Sequence, residues 1–197
     1  MDLSTQERHL LAVLSGERFL GMEGLGGEVP FFIYPYPPEA ALDVAQARKR
    51  IKTRLSTQYG KSVFEINLYD LSVEMLKERE VWDRVLAMEA EMDKSDFLEM
   101  LQGVLDPEDH IAPAVEAKLR DADFDILFLT GIGEVFPYIR SHNVLNNLQS
   151  VVTTRPMLVF FPGRYEQSQS HGSSLVLFGR LKDDQYYRAK NILEQEA

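Results

Sequence analysis

Short apolar runs alternate with helical patterns along this chain, which predicts an α/β fold. Several of the runs are uninterrupted, as in strands covered on both faces. The short connection between the last two runs favours an antiparallel hairpin, because parallel neighbours need a crossover of a dozen or more residues. We therefore predict a three-layer sandwich with a mostly parallel central sheet of about five strands and a C-terminal antiparallel hairpin. The predicted strands cover residues 31–34, 63–69, 126–129, 157–161 and 175–178.

The predicted helices surround these strands within a single domain of residues 1–197. Residues 1–27 combine an N-terminal helix with a glycine-rich connector, and residues 71–122 form an acidic helical segment. Asp70 is predicted to cap the first helix of that segment. A closing helix is predicted over residues 186–193.

The acidic segment contains an apolar stripe at helical spacing. Val81, Val85, Met88 and Met92 form this stripe, and we expect a helix break at Ser95 or Asp96. Methionine fills irregular core gaps well, so the two methionines are interpreted as core packing and not as a binding groove.

The stretch from Phe124 to Leu148 is predicted to be a buried strand, a glycine turn and a helix opened by Pro137. Spacing of about 100° per residue places Tyr138, Val144, Leu145 and Leu148 on the core arc of that helix. The opposite arc is rich in amides and carries no acid. Its residues are Ile139, Arg140, His142, Asn143, Asn146 and Asn147.

This amide-rich arc has two interpretations. It is either an ordinary solvated helix surface or a recognition surface for a partner. In the second case Arg140 supplies planar donors, His142 a switchable donor or acceptor, and Ile139 an exposed apolar anchor. The carboxyl ends of the strands are the edge where a parallel sheet binds ligands, and this turn and helix lie there.

The charge of the chain is unevenly distributed. The net charge is −10, and residues 65–125 alone hold 18 acids against 6 bases. A net-acidic protein is a poor general binder of nucleic acid. The exception is a basic cluster on the helix after the first strand, for which both a solvated face and a nucleic-acid patch remain open. Its residues are Arg48, Lys49, Arg50, Lys52 and Arg54.

The motifs for catalysis are incomplete. The chain contains no cysteine, its four histidines lack metal-ligand spacing, and we predict neither a metal nor a cofactor. Gly131-x-Gly133 follows a strand but lacks the third glycine of a dinucleotide fingerprint, and no P-loop is present. A degenerate nucleotide-binding loop at Thr130, Gly131, Gly133 and Glu134 remains an alternative. We predict a cytoplasmic protein without enzymatic activity, whose oligomeric state the sequence leaves open.

The run TGIGEVFPYIRSHNVLNNLQ, followed by MLVFFPGRY, LVLFG and YYRA, resembles the BrxB family of bacterial BREX phage-defence systems. The segments PFFIYPYPPEAAL and VFEINLYDL resemble the same family, so the resemblance covers nearly the whole chain. Eight residues match the family motif: Thr130, Gly131, Gly133, Glu134, Pro137, Arg140, His142 and Asn143.

The resemblance implies a small accessory protein of a multi-protein antiviral complex. Such a protein would work beside an ATPase, a DNA methyltransferase and the phosphatase-like protein PglZ. The resemblance assigns no catalytic residues to this chain. The resemblance therefore implies an interaction protein with PglZ as its direct partner. Nucleotide binding and DNA contact through residues 48–54 are the alternatives.

Overall fold

A seven-stranded sheet forms the centre of the part of the chain that the structure describes. The computed structural model describes residues 2–22, 30–168, 172–183 and 189–196. The strands are β1 (Phe31–Tyr36), β2 (Val63–Asn67), β3 (Ile126–Thr130), β4 (Met157–Ser168), β5 (Gly172–Leu177), β6 (Leu181–Asp183) and β7 (Lys190–Asn191). The helices are α1 (Leu3–Ser15), α2 (Glu17–Leu20), α3 (Ala41–Tyr59), α4 (Leu68–Glu78), α5 (Trp82–Glu91), α6 (Lys94–Val104), α7 (Ala112–Leu119) and α8 (Ser141–Leu148).

Five strands lie side by side in the order β2-β3-β4-β1-β7, and every neighbouring pair in this order is parallel. β5 pairs antiparallel with the second half of β4, and β6 pairs antiparallel with β5. The predicted α/β class, the mostly parallel sheet and the C-terminal hairpin are confirmed. The sequence does not predict β6 and β7, which are three and two residues long, because such short strands leave no periodic pattern.

The inner strands β1, β3 and β4 bury alternate side chains on opposite faces of the sheet. On one face Leu127 and Val159 join the core beneath α4, α5, α7 and α8. On the other face Phe128 and Phe160 pack against α1 and α3. All five residues of β3 are buried. The predicted three-layer arrangement is therefore present.

The outer strand β2 carries a partly buried carboxylate on the α3 face. Glu65 lies between two cations of α3: its Oε1 is 3.0 Å from Arg48 Nε, and its Oε2 is 2.5 Å from Lys52 Nζ. The side chains of Arg48 and Glu65 are only 18% and 19% exposed. Arg48 Nε has no partner in hydrogen-bond geometry among the described residues, so its attraction to Glu65 is mainly electrostatic.

β4 is longer than predicted. The sequence predicts that Pro162-Gly163 ends this strand, but β4 continues through both residues. Pro162 is paired in parallel with Tyr36, and Gly163 is already paired antiparallel with Leu177. A Cβ on Gly163 would overlap the carbonyl oxygen of Val176, so glycine is required where the strand changes partners.

The boundary between β2 and α4 also differs from the prediction. β2 ends at Asn67, and the side chain of Asn67, not of Asp70, caps the helix. Its Oδ1 accepts hydrogen bonds from the amides of Tyr69 (2.8 Å) and Asp70 (3.2 Å). Asp70 lies in the first turn, where its charge suits the helix dipole. Asparagine and aspartate are both good caps, so the sequence offers two candidates three residues apart.

Two further predictions fall partly outside the described residues. Residues 23–27 of the glycine-rich connector and residues 186–188 of the predicted closing helix are not described. The prediction is wrong for Ile192 and Leu193, which belong to a 3-10 turn at Ile192–Glu194 directly after β7. The break in the acidic segment comes at residues 92–93, slightly before the predicted Ser95.

We expect Glu65→Gln to destabilise the protein by about 1–3 kcal/mol, because it leaves the mostly buried Arg48 without a counter-charge. The matched control is Glu74→Gln, which removes the ion pair with Lys118 at 45% and 34% exposure and should cost less than about 1 kcal/mol. Urea unfolding of both variants at neutral pH measures the difference. Equal losses would mean that the Glu65 site is as solvent-screened as the Glu74 site.

Candidate partner-binding surface

The glycine turn at the carboxyl end of β3 is tightly packed. Thr130 is buried, and its hydroxyl lies 3.5 Å from the carbonyl oxygen of Ile66. Gly131 has φ +80°, a backbone conformation that side chains disfavour. The amides of Glu134 and Val135 both donate to the carbonyl of Gly131, at 3.1 and 3.3 Å. These two amides therefore form their hydrogen bonds within the turn itself.

Asn67 closes the turn from the side of β2. A Cβ on Gly131 would overlap Asn67 Oδ1 and would lie 2.9 Å from the amide nitrogen of Leu68. The same Oδ1 caps α4. One carboxamide thus fixes the start of a helix and fills the space beside the glycine.

Gly133 is closed from the opposite side by the C-terminal hairpin. A Cβ there would lie 2.9 Å from both the Phe178 ring and the Pro162 ring. Phe136 adds an edge-to-face contact with Phe178, with 6.3 Å between ring centroids. Both glycines of the predicted ligand loop therefore face protein atoms. Nucleotide binding at Thr130, Gly131, Gly133 and Glu134 stays a prediction.

The prediction that Ile139 is an exposed anchor is wrong. Ile139 is 1% exposed and lies in the core with Ile132 and Val135. α8 begins at Ser141, four residues after Pro137, so helical spacing counted from Pro137 does not apply to Ile139. Its amide donates to the carbonyl of Val135 at 2.9 Å, within the turn that leads into α8.

The polar face of α8 otherwise lies where the pattern predicts. Arg140, Asn143 and Asn146 are exposed, whereas His142 and Asn147 are half-buried. Asn147 Nδ2 donates to the carbonyl of Asn143 at 2.8 Å, and Gln149 Nε2 donates to Asn146 Oδ1 at 3.4 Å. Arg140 forms no ion pair with any described residue. The predicted core residues Val144, Leu145 and Leu148 are buried, and Tyr138 is half-buried.

Tyrosines at this edge of the sheet form a feature that the pattern analysis does not single out. Burial raises the pKa of Tyr138 to about 12, and Tyr69 and Glu134 add to the effect. Burial also raises the pKa of Tyr36, where Arg48 acts in the opposite direction and Glu134 in the same one. Glu134 therefore lies near two tyrosines. Aromatic residues with a polar tip at strand ends are the signal that indicates such a cluster.

The basic cluster on α3 is largely paired within the chain. Arg48 and Lys52 contact Glu65, and Arg50 forms a two-pronged pair with Glu7, with Nη2 2.7 Å from Oε2. Arg54 Nε donates to Gln58 at 3.1 Å, and Lys49 is exposed. The carboxylates partly neutralise this surface for a phosphate backbone. Nucleic-acid binding by these residues stays a prediction.

Comparisons with known proteins place the chain in a family. The sequence profile described as "BREX protein BrxB" matches residues 64–192, more than half of the chain. The chain belongs to the BrxB family of BREX proteins. All eight motif residues, from Thr130 to Asn143, lie within the match, whereas the basic cluster on α3 lies outside it.

Two curated relatives extend the similarity to almost the full chain. The BREX protein BrxB of Bacillus cereus (strain H3081.97) is 33% identical over 189 residues, which cover 94% of this chain and 95% of the relative. The BREX protein BrxB of Escherichia coli O9:H4 (strain HS) is 30% identical over 180 residues, which cover 91% and 86%. No solved structure matches the chain significantly. The described residues contain no helix long and apolar enough for a bilayer crossing.

The BrxB motif therefore contains a tightly packed part and an exposed part, and His142 is half-buried. Thr130, Gly131 and Gly133 hold the turn, whereas Glu134, Pro137, Arg140 and Asn143 are exposed. The packed part explains the fold of this edge. The exposed part is accessible to a partner.

We expect Gly131→Ala to lower the free energy of unfolding by about 2–4 kcal/mol, because the new Cβ meets Asn67 at a positive φ. Gly103→Ala is the matched control. Gly103 lies in α6 with no atom within 4 Å of an added Cβ, so this change should stabilise the protein by about 0.5–1 kcal/mol. Urea unfolding measures both. A neutral Gly131→Ala change would show that the turn can open without cost.

Tyr138→Phe should reduce the loss of stability at alkaline pH. The folded-state pKa of Tyr138 is raised from 10.0 to about 12, so its contribution is fully present below pH 10 and is lost as the pH rises through about 12. Its hydroxyl forms no hydrogen bond with the described residues, so the variant should match the parent protein near pH 7. Unfolding midpoints at pH 8, 10 and 11 test this, and identical pH profiles would contradict it.

Proposed function

We propose that this chain is a non-catalytic interaction protein of a BREX antiviral system, and that PglZ is its direct partner. Family membership supports the BREX assignment, because the relatives are BREX proteins. The choice of PglZ rests on the resemblance of the motif to a family that works beside it. The arrangement of polar groups at the carboxyl edge supports a binding role.

The observation that carries the proposal is an exposed cation within an acid-free stretch of an acidic chain. Residues 135–163 contain no Asp or Glu, although the chain has a net charge of −10. Arg140 is exposed within this stretch, and Asn143 and Asn146 expose amides beside it on α8. Arginine offers a rigid set of donors and is enriched at the energetic centres of interfaces. The α8 surface (Arg140, Asn143 and Asn146) is therefore suited to a partner that presents carboxylates or carbonyls.

Three polar side chains of β2 and β3 that a catalytic centre could use are engaged in holding the fold. Glu65 is paired with two cations of α3, Asn67 caps α4, and Thr130 is buried against β2. A general base or nucleophile needs access to substrate. These contacts favour a binding protein over an enzyme.

We expect Arg140→Glu to weaken co-purification of tagged protein with PglZ by roughly 10- to 100-fold, the effect of losing a central interface arginine. The change reverses the charge of an exposed side chain and should leave the fold intact. Quantitative pull-down at two salt concentrations, with circular dichroism as a folding check, measures the effect. Changes at Ile139 are unsuitable, because its burial would confound binding with stability.

Lys49→Glu is the matched control, since it makes the same charge change at an exposed position of α3, on the other face of the sheet. It should leave PglZ binding unchanged. Unaltered binding by folded Arg140→Glu protein would exclude the α8 surface. Failure of the unmodified protein to retain PglZ would exclude PglZ as the direct partner.

A further inference from the structure

The two helices α5 and α6 are the least buried part of the helical layer. In α5 only Val85 is buried, and α6 contains no buried residue. The predicted buried stripe is therefore only partly correct, because Val81, Met88 and Met92 retain intermediate exposure. Leu86 is nearly half exposed on the same helix. This pair of helices therefore leaves part of its apolar surface exposed.

A groove of about 240 Å³ lies between the two helices. Five of its six lining residues are apolar, and a methionine from each helix contributes to it. Methionine is flexible and polarisable, which suits a surface that adapts to another side chain. The lining residues are Val81, Arg84, Val85, Met88, Met100 and Val104.

The segment that carries this groove is strongly acidic, although the charged residue of the groove lining itself is Arg84. Residues 78–99 carry 8 acids and 3 bases, and every one of these acids is exposed. A field of this sign attracts cationic partners and repels anionic ones. An apolar groove on an acidic pair of helices is complementary to a segment that combines apolar anchors with lysine or arginine.

We propose that the groove between α5 and α6 binds a basic amphipathic helix of a partner protein. A furrow between two helices accommodates a third helix, whose anchors at i, i+3, i+4 and i+7 enter it. α5 has 10 residues and is therefore about 15 Å long, enough to contact about three turns. The basic face of the incoming helix is attracted by the exposed acids of α5 and α6. This surface is additional to the α8 surface and does not depend on the identity of its partner.

The first test uses three synthetic 18-residue peptides with a fluorescent label. One has leucines at helical spacing and lysines elsewhere; the second replaces each lysine by glutamate; the third scrambles the leucine–lysine order. Fluorescence anisotropy should show the first peptide binding at least about tenfold more tightly than either control. Equal binding of the scrambled peptide would reduce the effect to general charge attraction and overturn the proposal.

The second test separates apolar docking from electrostatics by the sign of the effect. Met88→Glu and Met100→Glu each add negative charge, so simple attraction predicts tighter binding of the lysine peptide. Docking in the groove predicts at least roughly tenfold weaker binding, because the charge enters the apolar floor. Leu42→Glu, at an 81% exposed position on α3, makes the same type of change elsewhere and should not weaken binding. Unchanged or tighter binding by both methionine variants overturns the proposal.

A measurement on the unmodified protein covers the case in which a variant fails to fold. With ¹³C-methyl methionine, titration of the lysine peptide should shift the NMR signals of Met88 and Met100. The signal of Met157, buried in the sheet, should stay unchanged. A binding isotherm without shifts at Met88 and Met100 would place the peptide elsewhere and overturn the proposal.

Discussion

The inner strands of the sheet must be covered on both faces, and the rest of the fold follows from that requirement. β3 is entirely buried, and its side chains alternate between the two apolar layers. The chain turns sharply where this enclosed strand ends. Gly131 provides that turn, and Asn67 and Phe178 close it from two sides. The orientation of α8, and with it the exposure of Arg140, depends on this packing.

The features predicted from sequence are those with a strong periodic or compositional signal. Uninterrupted runs such as 126–129 and 157–161 identify strands buried on both faces, and this is enough to predict the layered architecture. Contacts between distant segments leave no such signal. β4 continues through Pro162-Gly163 because β5 pairs with it, and Asn67 caps α4 while packing beside Gly131. The end of β4 and the cap of α4 are therefore determined by tertiary contacts.

Only part of the candidate surface could be predicted from the sequence. The exposure of Asn143 and Asn146 follows from helical spacing, which is sound within α8. Ile139 lies before the helix starts, and there the same spacing assigns it to the wrong environment. The proximity of Tyr69 to Tyr138 could not be predicted in this way, because it depends on which segments are neighbours in the fold. Two surfaces of contrasting charge result, with α8 free of acids and the α5–α6 pair rich in them.

The position of β2 has a consequence for behaviour at high concentration. As an outer strand of the sheet, β2 offers backbone groups on which a foreign strand can assemble. Glu65 places a charge in the middle of this short strand, and Lys52 is held beside it. A charged side chain on an edge strand disfavours edge-to-edge pairing between molecules. The cluster of Glu65, Arg48 and Lys52 therefore also disfavours aggregation through this edge.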